Sequence, residues 1–267
     1  IRPAFEKVDL RDFDATESVF KKYPKISGII HFAASKAVGE SVQKPLLYYH
    51  NNIVSLINLL QLMPKYDVKG IIFSSSCTVY GQPDVLPATE ETPIKKAESP
   101  YGNTKQINEE IIADTIKSGS PIKAILLRYF NPIGAHPTAF IGEMPNGVPQ
   151  NLIPYLTQTA MGIRKELSVF GDDYDTPDGS CIRDYIYVVD LAKAHVCAMT
   201  RIMEDQTTEP VEVYNIGTGT GTSVLELINA FEKATGVKLN YKIVGRRAGD
   251  IEKVWGNVDK ANKVLGW

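Results

Sequence analysis

Cysteine is scarce: the 267 residues hold three, Cys77, Cys181 and Cys197. They are too few and too scattered for a disulfide framework or a zinc site, and they fit a reducing compartment, so a cytoplasmic location is expected. The four histidines, His31, His50, His136 and His195, show no metal-ligand spacing and read as structural or surface residues. No metal is expected. No apolar run approaches the roughly 18 residues of a membrane span, so no membrane partner is expected either. Charge of neither sign dominates: 29 Lys and Arg stand against 31 Asp and Glu, a net −2. That leaves no basic footprint for nucleic acid, and any anion site must be a local pocket. Internal repeats and low-complexity tracts are absent as well.

The composition that remains is that of a globular chain, 43% apolar and 22% charged. Its length suits one large domain or two small ones. Four short apolar runs, at 5–9, 28–33, 70–76 and 122–128, read as buried parallel strands. Helical stripes lie between them, at 13–23, 46–63 and 102–118. Such alternation predicts an α/β fold with a doubly wound parallel sheet, whose ligand sits beyond the carboxyl ends of the strands. Residues 131–150 are rich in proline and glycine and read as a long loop. Beyond it the spacing predicts a helix over 152–164, a strand over 167–171, a loop over 172–179 and a strand–helix pair over 184–203. A strand over 211–216 and a helix over 224–235 follow. A soft domain boundary falls near residue 132, with later elements returning to the first sheet.

The sharpest local signal is Ser99-Pro-Tyr-Gly-Asn-Thr-Lys105. Pro100 suits the first turn of a helix, and Tyr101 and Lys105 then share one face. A phenol is a poor base at its free pKa of about 10. A neighbouring ammonium favours phenolate, and a shift of about 3 units needs roughly 4 kcal/mol of differential stabilisation. Ser74-Ser-Ser76 ends a predicted strand and offers a hydroxyl to hold a substrate oxygen. A lone Tyr-x-x-x-Lys is weak; one that opens a helix some 25 residues after a serine-tipped strand is much stronger.

Ser-Ser-Ser-x-x-x-Tyr-Gly at 74–81, Pro-Tyr-x-x-x-Lys at 100–105 and Arg128-Tyr-Phe-Asn-Pro-x-Gly134 together resemble the extended short-chain dehydrogenase/reductase family. Ile30-His-Phe-Ala-Ala-Ser-Lys-Ala-Val-Gly-Glu-Ser-Val-Gln-Lys-Pro45 and Arg183-Asp-Tyr-Ile-x-Val-x-Asp-Leu-Ala192 are similar to its branch that epimerises UDP-hexoses at C4. The resemblance covers the whole chain. It implies a Rossmann-like NAD-binding domain over 1–132, N-terminally incomplete, and a smaller α/β nucleotide-sugar domain over most of 133–267. It implies Tyr101 as the acid/base at the sugar 4-hydroxyl, Lys105 as the residue that acidifies it and holds the nicotinamide ribose, and Ser76 on the same 4-oxygen. Asp9 and Leu10 would flank the adenine. Phe32, Ala33, Ala34 and Lys36 would line the cofactor, with Asn51 and Phe130 completing that pocket around Tyr101 and Lys105. Tyr129, Asn131, Asn151, Phe170, Arg183, Arg247, Asp250 and Val254 would join Ser76 and Tyr101 around the UDP-sugar. A diphosphate wants guanidinium forks and helix N-terminal amides, which Arg183, Arg247 and the helix opening at Asn151 can offer. A homodimer is expected through helices 46–63 and 102–118, whose apolar residues exceed one narrow stripe, the alternative being simple packing on the sheet; galactose metabolism is the expected setting.

Neighbouring chemistries fit less well. Nucleotide-sugar 4,6-dehydratases of this architecture carry Asp-Glu where Cys77-Thr78 stand, and related decarboxylases want a glutamate at the second position. Ile216-Gly-Thr-Gly-Thr-Gly-Thr222 mimics a dinucleotide fingerprint without its third glycine or its acid. It reads as a tight strand-to-helix turn with Thr222 or Ser223 as N-cap. The true glycine fingerprint and its acid are missing, so about fifty residues are expected before Ile1 and some twenty-odd after Trp267. Taken literally, such a chain should bind NAD poorly. Two alternatives follow: a truncated paralogue acting as a binding or assembly module, or an epimerase for another nucleotide sugar. The small Val254, where the family carries a bulky tyrosine, suggests room for UDP-N-acetylhexosamines.

Overall fold

The computed structural model describes residues 3–267. Helix α1 (Phe13–Lys22) starts at Asp12, whose carboxylate accepts the Ala15 amide at 2.9 Å. Strand β1 (Gly28–His31) leads through the short helix α2 (Val38–Gln43) into α3 (Pro45–Lys65), with Pro45 in its first turn. Strand β2 (Gly70–Ser76) is buried throughout its seven residues. A 3₁₀ turn (Cys77–Tyr80) follows it, then α4 (Pro100–Lys117) and β3 (Lys123–Tyr129). Ser99 caps α4 by accepting the Gly102 amide at 3.1 Å. The second half holds β4 (Asn131–Ile133), α5 (Leu152–Ala160), β5 (Leu167–Phe170), β6 (Ile182–Arg183), β7 (Tyr185–Tyr187) and α6 (Val188–Met203). It ends with β8 (Val211–Ile216), β9 (Thr222–Ser223), α7 (Val224–Thr235), β10 (Tyr241–Val244), β11 (Lys253–Val254) and a π-helical turn (Ala261–Leu265).

Four parallel strands make the main sheet in the order β1-β2-β3-β8. The pleat sends alternate side chains to opposite faces. Ile71 and Phe73 join Leu56, Leu60 and Ile112 of α3 and α4 on one face. Ile72, Ile125 and Leu127 meet Leu191, Ala194, Ala198 and Ile202 of α6 on the other. Strand β8 and helix α6 therefore return from the second half of the chain to complete the first sheet. The remaining strands form three small ladders: β10-β5, β11-β6-β9 and β4-β7.

Two expectations need correction. Residues 5–9 form no strand. An apolar run becomes a strand only when a neighbour takes its backbone groups, and β1 is an edge that pairs with β2 alone. For the same reason β1 is not covered on both faces: Ile30 remains 39% exposed. The short α2 and the strand β4 within the 131–150 loop escaped the periodicity reading, since each is shorter than the window that reveals a period.

The glycine-rich 217–221 turn holds an internal anion. The buried Asp184 carboxylate accepts the amides of Thr218 (2.7 Å) and Gly219 (3.1 Å) and the Thr218 hydroxyl. A Cβ on Gly217 would stand 2.4 Å from Asp184 Oδ2, which is why that position carries none. Ser223 is the N-cap of α7, in a capping box with Glu226.

Candidate active site

The carboxyl ends of the parallel strands open into a cavity of about 670 Å³. Pro100 and the Ser99 cap set the start of α4, so Tyr101 and Lys105 face β2 from its first two turns. The Lys105 ammonium lies 5.8 Å from the Tyr101 ring centroid and donates to the Ser74 carbonyl at 2.5 Å. Ser76 stands beside the phenol on the same wall and acts to lower its pKa. All three line the cavity.

The electrostatics differ from the simple expectation. Burial holds the Tyr101 phenol well above its ordinary range, and Ser76 offsets this only in part. Lys105 is 4% exposed, and burial pushes it down to about 8 while Glu109 pulls the other way. In this arrangement the ammonium is committed to a carbonyl, and the phenol keeps its proton. The pair is assembled; its acidification is not yet expressed.

The other expected residues fall into two groups. Tyr129, Asn131, Asn151, Phe170, Arg183, Arg247, Asp250 and Val254 all line the cavity, as do Phe32, Ala34, Lys36 and Phe130. Asp9, Leu10, Ala33 and Asn51 do not. Asp9 pairs with Arg11, which also donates to Asn51 at 2.6 Å; the Leu10 carbonyl accepts from Asn58. They cluster beside the β1 edge. Asn151 begins α5, but its side chain donates to Glu143 (2.8 Å), which also pairs with Lys36 at 3.2 Å. Arg247 is clamped by Asp250 at 2.7 Å and lies over Phe170. Arg183 is tethered only by the carbonyls of Ile182 and Glu252, which leaves its guanidinium without a carboxylate partner among the described residues. Two cavity residues escaped the sequence reading. Thr78 carries a buried hydroxyl with no partner, and Glu143 bridges two walls through the 131–150 loop. The signal for Thr78 was its spacing two residues after Ser76 across the 3₁₀ turn.

Among the described residues no three His, Cys, Asp or Glu side chains cluster as metal ligands, and no helix is long and apolar enough to cross a membrane. The residues fit one end of a dinucleotide. A buried ammonium has three donors, and Lys105 uses one, on Ser74. That donor set suits a ribose diol beside Tyr101, with Phe32, Ala34 and Lys36 at the end of β1 to continue the groove. The one glycine-rich strand-to-helix turn is filled by Asp184 and offers nothing to a diphosphate.

A parallel sheet covered by helices, with serine, tyrosine and lysine at its carboxyl edge and arginines across the cleft, defines a nucleotide-dependent enzyme of the short-chain dehydrogenase type. Comparison with known proteins narrows this. The NAD dependent epimerase/dehydratase family model matches residues 2–217. UDP-glucose 4-epimerase 2 of Arabidopsis thaliana is 54% identical over 266 residues, covering 100% of this chain and 75% of that protein. UDP-glucose 4-epimerase of Homo sapiens is 49% identical over 263 residues, 98% of this chain and 74% of that one. The crystal structure of UDP-glucose 4-epimerase from Bifidobacterium longum in complex with NAD+ and UDP superposes with a TM-score of 0.94 at 51% identity, covering 98% of this chain and 77% of that chain. The chain belongs to the NAD dependent epimerase/dehydratase family.

Proposed function

We propose that the protein inverts C4 of a UDP-hexose, interconverting UDP-galactose and UDP-glucose through a 4-keto sugar. One observation carries this reading: Ser76, Tyr101 and Lys105 converge on one wall of a cavity whose other walls bear Asn151, Arg183 and Arg247. Ser76 orients the 4-hydroxyl; Tyr101, as phenolate, takes its proton and later returns it to the same oxygen. Bound NAD supplies a hydride acceptor and donor at C4 and a positive charge beside the phenol. Lys105 holds the ribose, Lys36 stands at the phosphate side, and Phe32, Ala34 and Phe130 pack the nucleotide. Arg183 and Arg247 grip the UDP diphosphate with Asn151, while Tyr129, Asn131, Phe170 and Asp250 frame the nucleotide sugar. A tight hold on the nucleotide and a loose one on the hexose let the keto sugar present either face.

Residues 1–132 with the returning β8 and α6 serve the cofactor, and most of 133–267 serves the sugar nucleotide. Asp9 and Leu10 flank the adenine, and Ala33 and Asn51 belong to the cofactor pocket. Val254, 1% exposed in the cavity wall, leaves room for an N-acetyl group, so UDP-N-acetylhexosamines enter too. The setting is galactose metabolism in the cytoplasm, by a homodimer packed through α3 and α4. The intact Ser76-Tyr101-Lys105 set speaks against a non-catalytic module. The test supplies UDP-galactose, with and without added NAD, and follows UDP-glucose by proton NMR. Appearance of UDP-glucose supports the reading, and none with NAD present defeats it. Turnover of UDP-glucose but not UDP-N-acetylglucosamine removes the broader range, and a monomeric mass at equilibrium sedimentation removes the dimer.

A further inference from the structure

Helix α4 presents a row of three polar side chains to β2, each one turn beyond the last: Tyr101, Lys105 and Glu109. Each meets one of the three serines that end the strand. Ser76 stands beside the phenol in the cavity wall, the Ser74 carbonyl accepts from Lys105, and the Ser75 hydroxyl donates to Glu109 Oε1. The mechanism uses the first two and leaves Glu109 idle. Yet Glu109 is buried, and its carboxylate is gripped from the other side by Arg128, Nε to Oε1 at 2.9 Å and NH2 to Oε2 at 2.6 Å. Arg128 also donates to the Tyr80 hydroxyl at 3.2 Å, and Tyr80 donates to Asn215 at 2.7 Å. A chain of buried bonds thus runs from Asn215 of β8 through Tyr80 and Arg128 to Glu109 and Ser75.

We propose that Glu109 is a positioning residue of this active site: it locks the serine tip of β2 to α4 and balances the charge of Arg128 so that Lys105 keeps its own. This rests on the assignment of Tyr101 and Lys105 above. The titratable groups that act on Lys105 are Glu109, on its own helix, and His31 of β1. Tyr48 of α3, Cys77 of the 3₁₀ turn and Tyr129 of β3 act on the neighbouring Tyr101, and Arg128 and Tyr80 stand on the far side of Glu109. Burial keeps the phenols and the Cys77 thiol protonated and His31 neutral, which leaves Glu109 as the carboxylate that acts on Lys105. Remove the carboxylate charge and Lys105 loses the interaction that opposes its burial, while the guanidinium bonded to the same carboxylate is left uncompensated in a medium that screens little.

Glu109→Gln keeps the shape and loses that charge. Lys105 should then release its proton at lower pH. Activity that needs the ammonium is lost as pH rises through the lysine pKa, so the alkaline limb of kcat/KM for UDP-galactose moves down by about one unit, with KM little changed. A readout independent of turnover is the 13Cε resonance of Lys105 in the full 267-residue chain, assigned against Lys105→Met; its midpoint should fall with the limb. The double variant Glu109→Gln/Arg128→Gln removes both charges and should bring the midpoint back towards the parent value. An unshifted lysine midpoint in E109Q, or a double variant shifted as far as the single, overturns the charge argument whatever happens to rate. Should E109Q not fold, Ser75→Ala breaks the lock and leaves every charge in place; kcat should fall about tenfold with the lysine midpoint unmoved. An unchanged kcat overturns the lock. If the unsubstituted chain turns over no UDP-galactose while the lysine shift appears, the functional reading fails and the coupling of Glu109 to Lys105 stands.

Discussion

Tyr101 and Lys105 could be read from four residues of spacing because helical geometry alone places them together, whatever the rest of the chain does. Their electrostatic state could not, because it depends on burial and on Ser74, contacts that cross 31 positions of sequence. The roles of Thr78 and Glu109 escaped for the same reason: only packing shows that one hydroxyl has no partner and one carboxylate has three donors. On the proposed reading, Tyr101→Phe removes the group that moves the 4-hydroxyl proton. Turnover should fall by about 10³-fold or more, while calorimetric UDP affinity stays within a factor of about two. An equal loss of both would make Tyr101 a binding residue. His31 gives a pH expectation. It packs against Phe73, and burial holds its pKa down at about 4, against 6.5 when free. The unfolded chain therefore binds more protons between those values, and stability rises with pH across that window. His31 should contribute up to roughly 3 kcal/mol at neutral pH that is lost as pH falls from about 6.5 to about 4. His31→Phe should flatten that part of a urea-stability curve; the same slope in the variant assigns the acid lability elsewhere.

At the scale of elements, strands and helices were legible where the period was long and the neighbours present. β2, β8 and α7 match the expected bounds, and α3 and α4 begin at prolines that the sequence shows openly. Residues 5–9 failed because a strand is a property of a pair; β1 pairs with β2 alone, and nothing in an apolar run says whether a partner lies alongside. The 217–221 turn shows the reverse case. Its glycines imitate a phosphate site, and the distinction lies in Asp184, 33 residues earlier than Gly217, whose carboxylate takes the amides a phosphate would need. The cap of α7 is local and so was readable, with Ser223 accepting the Glu226 amide at 3.0 Å and Glu226 answering at 2.8 Å. Ser223→Ala should cost about 1 kcal/mol, since it frees one terminal amide and also the Asp178 carboxylate bonded to the same hydroxyl. Chemical denaturation measures it, and a neutral result would show that water replaces the cap.

The whole molecule places its chemistry between walls that are distant in sequence. Ser76 and Tyr101 come from the main sheet and its helix, whereas Arg183 lies on β6 and Val254 on β11, strands joined to each other and not to that sheet. A ligand spanning both walls adds contacts between them, so UDP should stabilise the fold by linkage. At a hundred times its dissociation constant the gain is about 2.7 kcal/mol, which for a chain of this size raises Tm by roughly 5–10 °C. Of the two arginines lining the cavity, Arg183 has no carboxylate partner among the described residues, so it should carry much of the diphosphate's charge; Arg247 is already shared with Asp250. Arg183→Ala should therefore abolish most of the thermal shift at that UDP concentration, Arg247→Ala should reduce it less, and Tyr101→Phe should retain it in full. The same ordering in a calorimetric titration would separate binding from folding. Equal shifts in the parent chain and in Arg183→Ala would put the diphosphate elsewhere, and with it the wall against which the sugar is presented to Tyr101.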